Sequence, residues 1–169
     1  EMSRGLGDVY KRQDENLVVV AGTNKDEMNF WYVRSNYFYN STGGVVLRLQ
    51  RSEENLKSWI KYRSDIWRYD GAEEPLRRMA NTNSNLYAYR FDWDEQNNSS
   101  FAGNYQLFVG AAHGLEIPFL TGDFDLGPIT FYIKPFMFPD DSDEGRLALS
   151  DLMMTYWANI AKYGNPNEF

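Results

Sequence analysis

The run Leu17-Val18-Val19-Val20-Ala21 constrains this chain more than any other feature, and it stops at Gly22-Thr23-Asn24. A short, β-branched run bounded by turn residues suits a strand covered on both faces, and such strands lie in parallel sheets between helices. The expected fold class is therefore α/β. Lys25-Asp26-Glu27 then fall just past the carboxyl end of a strand, where open α/β sheets build their sites.

Further along, Phe30, Trp31, Tyr32, Tyr37, Phe38 and Tyr39 make an aromatic stretch, read either as a lid or pocket wall or as a surface helix packed on the core. Ser52-Glu53-Glu54 opens a helix, with a capping hydroxyl and two acids at the positive end of the dipole. Leu56, Trp59, Ile60, Arg63, Ile66 and Trp67 continue it at helical spacing. Gly71 is expected to break it before a second helix over 72–80, with Pro75 in the first turn. Asn81 to Asn85 reads as a polar turn. Leu86 to Trp93 reads as a strand with Tyr87, Tyr89, Phe91 and Trp93 on one face. A loop follows from Asp94 to Asn104. Phe131 to Pro139 is apolar but holds two prolines, which predicts an irregular insertion. Leu149, Leu152, Met153, Tyr156, Trp157 and Ile160 mark a closing helix that Gly164 and Pro166 end.

Composition narrows the function. The 169 residues carry 17 Lys and Arg against 24 Asp and Glu, a net charge of −7 that disfavours phosphate backbones and so nucleic acid. No apolar stretch is long enough for a membrane span. The absence of Cys removes thiolate metal sites and cysteine nucleophiles, and a single His makes a transition-metal site unexpected. The acidic string Asp140-Asp141-Ser142-Asp143-Glu144 lacks the spacing of a calcium loop and reads as a solvated cap on the closing helix. An acidic, Cys-free chain with frequent Asn is compatible with an extracytoplasmic protein, periplasmic or secreted.

The one histidine, His113, sits among Gly110, Ala111, Ala112 and Gly114, expected to follow a strand. Small neighbours let a backbone approach closely and present an imidazole into a cleft. Asp26 or Glu27 could hold its far ring nitrogen. Acid before histidine, each after a strand, is the tail of the Ser…Asp/Glu…His order of α/β-hydrolases. The nucleophile is missing: no G-x-S-x-G elbow exists, and no segment resembles an oxyanion loop.

Four segments together resemble the type-B carboxylesterases, the family that includes cholinesterases. Ala21-Gly22-Thr23-Asn24-Lys25-Asp26-Glu27 is similar to its acid-bearing segment, and Leu86 to Trp93 to its late strand. Gly110 to Phe119 is similar to its histidine loop, and Met153 to Asn167 to its closing helix. They lie in the family's order across nearly all of residues 14–169. The resemblance implies the C-terminal portion of an α/β-hydrolase fold, hydrolysis of a small-molecule carboxylic ester, and no cofactor. It assigns Glu27 as the triad acid and His113 as the general base. Glu116 matches a family position in the histidine loop and is expected to support the pair, directly or through water. Serine, oxyanion hole and most of the sheet would lie upstream.

Residues 1–13 look foreign to this pattern. Asp8-Val9-Tyr10-Lys11-Arg12-Gln13 can be encoded by a string similar to a sequencing-library transposon adapter, so the native frame is expected to begin near Asp14 and the chain to be a fragment. Two other readings compete: a cholinesterase-like binding or adhesion protein without activity, and a small aromatic-rich binding module.

Overall fold

The computed structural model describes residues 17–33, 35–42, 46–99, 103–125 and 127–168. Residues 1–13 lie outside them.

Strand β1 (Val19–Asn24) and strand β4 (Leu86–Phe91) pair in parallel, from Val19 opposite Leu86 to Asn24 opposite Phe91. Lys25 N–H extends the ladder to Phe91 O at 2.9 Å. Parallel pairing needs a crossover, and the chain makes it with four elements. These are helix α1 (Asn29–Val33), the hairpin of β2 (Tyr39–Thr42) and β3 (Val46–Leu49), helix α2 (Glu53–Arg68), and helix α3 (Glu74–Met79). After β4 come the two-residue strands β5 (Asn98–Ser99) and β6 (Gly103–Asn104), helix α4 (Tyr105–Phe108) and helix α5 (Ile117–Thr121). Helix α6 (Thr130–Met137) and helix α7 (Asp143–Tyr163) close the chain.

The class is α/β, but β1 is only partly buried. Val19, Val20 and Ala21 are half-buried, and only Thr23 and Asn24, at the carboxyl end, are buried. Among the described residues β4 is its only strand neighbour, and helix α2 and the turn after it lie against β1. The strand is thus most deeply buried where the site begins. On β4, Phe91 is buried and Tyr87 and Tyr89 half-buried, with Trp93 beyond the strand end on the same side, while Ala88, Arg90 and Asp92 are exposed. This is the expected period of two.

Helix α2 begins where expected: Ser52 Oγ accepts from Asn55 N–H at 3.4 Å, and Glu53 and Glu54 occupy the first turn. Its buried line is Leu56, Ile60 and Ser64, whereas Trp59 and Trp67 face outward. Gly71 does not break it. The helix runs on through a widened π turn, Tyr69–Glu73, into α3. A proline ring collides with the carbonyl four residues back in a regular helix, and widening the turn just before Pro75 relieves that collision.

Residues 130–137 form helix α6 despite the internal Pro135, where an irregular insertion was expected. Met137 and Phe138 are buried, and an apolar anchor of that size outweighs the roughly 3 kcal/mol cost of a proline. Helix α7 carries acids Asp143 and Glu144 in its first turn and ends at Gly164, whose φ of 72° is the left-handed cap predicted for it. Asn159 Nδ2 then holds Pro166 O at 3.3 Å. The core gathers Phe38, Leu56, Phe91, Phe119, Phe138 and Met153 from along the chain.

Candidate active site

The carboxyl end of β1 delivers Asn24 through Glu27 to one place, and the loop after α4 delivers residues 109–113 to the same place. That loop follows a helix, not the strand expected, because Tyr105–Phe108 takes a single helical turn capped by Asn104 Oδ1 on Leu107 N–H at 2.8 Å.

The loop's backbone carbonyls are bonded in succession. Asn29 Nδ2 donates to Val109 O at 2.9 Å and Gln96 Nε2 to Gly110 O at 2.9 Å. Asp26 N–H reaches Ala111 O at 3.0 Å, and Asn24 Nδ2 reaches Ala112 O at 2.7 Å. His113 N–H returns the connection to Glu27 O at 3.3 Å. Asn24, Asn29 and Gln96 are buried polar residues, and these bonds pair their side-chain N–H groups with the loop carbonyls. Gly110 has φ of 51°, and a Cβ there would come 2.6 Å from Asp26 Oδ2, so the loop needs glycine at that position.

Of the two adjacent acids, Glu27 meets the histidine. Glu27 Oε2 lies 2.8 Å from His113 Nδ1, and Glu27 Oε1 accepts from Asn24 N–H at 2.7 Å. The carboxylate side chain is 5% exposed and the imidazole 50%. A carboxylate only accepts, so the neutral ring carries its proton on Nδ1 and keeps the lone pair on Nε2. Asp26 turns the other way: its Oδ2 accepts from Ala111 N–H at 3.2 Å. Burial raises the Asp26 carboxyl above the ordinary range, with that backbone bond opposing the shift.

Glu116 reaches the pair through Asn24. Its Oε2 accepts from Asn24 Nδ2 at 2.5 Å. Tyr89 feels the resulting negative cluster: its hydroxyl is pushed up by burial first, and then by the Glu116 and Glu27 carboxylates.

Two tryptophans flank the imidazole, Trp31 at 5.3 Å and Trp67 at 5.5 Å between ring centres, and they touch each other at 5.8 Å. The aromatic stretch therefore divides between the site and the core. Trp31 walls the histidine, while Tyr32, Val33, Phe38 and Tyr39 pack on or within the core. Sequence reasoning missed Trp67, whose spacing reads as a core position of α2, and Asn24, whose place in a turn gives no sign of its two side-chain bonds. Among the described residues no group of three or more acidic or imidazole side chains is placed to hold a metal ion. No helix among them is long and apolar enough to cross a membrane.

A parallel strand pair with its acid and histidine loops at the carboxyl end is the architecture of an α/β-hydrolase. A solved structure of PNB esterase shares the fold with a TM-score of 0.52 over 90% of this chain and 30% of that one, at 19% identity. The profile of the carboxylesterase family matches residues 8–169, and the chain belongs to that family. The medium-chain fatty acyl-CoA hydrolase precursor of Anas platyrhynchos is 34% identical over 96 residues, 57% of this chain and 14% of that protein. Neuroligin-3 of Macaca mulatta is 40% identical over 58 residues, 34% of this chain and 26% of that sequence. The chain thus spans well under half the length of these relatives.

Proposed function

We propose that the protein supplies the acid and the general base of a serine carboxylesterase, Glu27 and His113, to a nucleophile encoded upstream. The observation that carries this reading is the 2.8 Å contact between Glu27 Oε2 and His113 Nδ1, made by the only histidine in the sequence. In this role Nε2 of His113 takes the serine proton as the hydroxyl attacks the ester carbonyl, and returns it to the departing alcohol. Glu27 fixes the tautomer and stabilises the imidazolium that forms between those steps. No cofactor is required. The substrate class is a small carboxylic ester, and the acidic, Cys-free composition favours an extracytoplasmic place of action.

The test begins with long-read sequencing of the source locus upstream of Asp14, where an in-frame G-x-S-x-G a few hundred residues before His113 is expected. In the enzyme so completed, Glu27→Gln should lower kcat for an aryl ester roughly 10³- to 10⁴-fold. A replaced serine beside intact Glu27 and His113 would turn the reading to a non-catalytic binding protein. A native start near residue 1 with no elbow would turn it to an aromatic-rich binding module.

A further inference from the structure

Building on that reading, we infer that Asn24 is a positioning residue that sets the Glu27–His113 contact and is itself anchored by Glu116. Three donors leave Asn24 in three directions. Its backbone N–H takes Glu27 Oε1 at 2.7 Å, which leaves Oε2 to face the histidine. One side-chain proton takes Ala112 O at 2.7 Å, the carbonyl immediately before His113. The other takes Glu116 Oε2 at 2.5 Å.

One buried residue therefore holds the carboxylate of the acid, the backbone beside the base, and a second carboxylate three residues past the base. Asn24 is 3% exposed. Its amide orientation is forced, because a flipped amide would set Oδ1 against a carbonyl and a carboxylate, two acceptors facing an acceptor. Asn24 touches neither a reacting atom nor the imidazole, so it acts through Glu27 and the loop. Glu116 acts one step further back, by fixing the rotamer of the Asn24 side chain. A charged acceptor makes that bond stronger than a neutral one would be. The other side-chain bonds to the loop fix residues 109–111; among the described side chains only Asn24 grips the carbonyl adjoining the histidine.

The test uses the complete enzyme and reads two quantities: kcat and KM for an aryl ester, and the ring ¹⁵N shifts of His113 at a pH where the ring is neutral, assigned by their loss in His113→Gln. Glu27→Gln is measured first. If it moves neither quantity, the triad reading falls and this inference falls with it. With that control responding, Asn24→Ala is expected to lower kcat about ten- to a hundredfold with KM within about threefold, and to move the ring shifts toward mixed tautomers. Glu116→Ala should do the same to a smaller extent. A folded Asn24→Ala enzyme with unchanged kcat and ring shifts overturns the inference while leaving the triad intact. Should Asn24→Ala not fold, unchanged values in Glu116→Ala overturn it instead.

Discussion

Asp26 and Glu27 are neighbours of one chemical type, and one methylene separates their roles. Glu27 reaches His113 Nδ1, while the shorter Asp26 turns to Ala111 N–H and loses solvent. Burial raises the Asp26 carboxyl, so the folded state holds its proton more tightly than the unfolded state does. Between the ordinary carboxylate value and the raised one, the native state binds more protons. The stability Asp26 contributes is therefore full at low pH and is lost as pH rises through that window. Asp26→Asn keeps an acceptor for Ala111 N–H and removes the charge. In the complete protein its urea midpoint should gain on the natural protein's as pH goes from about 4 to about 7. A constant gap across that range would refute the assignment. The choice between the two acids was not readable from residue type, because both lie beside the same turn and differ in reach and in the direction they leave the backbone.

At the scale of elements, helical periodicity located the helices better than their buried faces. In α2 the core takes Leu56, Ile60 and Ser64, while Trp59 stays exposed and Trp67 goes to the histidine. In α7 the buried line is Arg146, Ser150 and Met153, so two of its three residues are polar. Arg146 manages this with its guanidinium 4.4 Å above the Phe124 ring and an ion pair to Asp143. Ser150 donates to Phe119 O at 2.8 Å and ties α7 to α5, the helix just after the histidine loop. Removing that donor strands a buried carbonyl. Ser150→Ala should cost about 1–2 kcal/mol in chemical denaturation of the complete protein, and a cost near zero would mean that water or a shifted helix replaces the bond. Gly164 and Ser52 acted as written in the sequence, since caps are local chemistry. Gly71 and Pro135 did not, since packing decided whether the helix continued through them.

For the whole molecule, two parallel strands are a small sheet, and Trp59, Trp67, Leu147 and Leu152 are exposed large apolar side chains. Parallel strands are ordinarily buried within larger sheets. The 169-residue chain alone is therefore expected to melt broadly by circular dichroism and to show no ester hydrolysis that depends on the triad. A sharp cooperative transition would favour an independent module. Robust hydrolysis abolished by His113→Ala would place a nucleophile within these residues.

The sequence by itself determined what depends on near neighbours and on composition: the α/β class, the capped helices, the alternating face of β4, and the acid-then-histidine order. An apolar run, a capping hydroxyl or a left-handed glycine acts within a few residues, so its signal survives in one dimension. The tertiary structure alone decided that Asn24 joins Glu27 to Glu116, that Asp26 turns to Ala111 N–H, and that Trp31 and Trp67 flank the imidazole. All but the Asn24–Glu27 bond join residues dozens of positions apart, and they depend on angles fixed only when the chain segments come together.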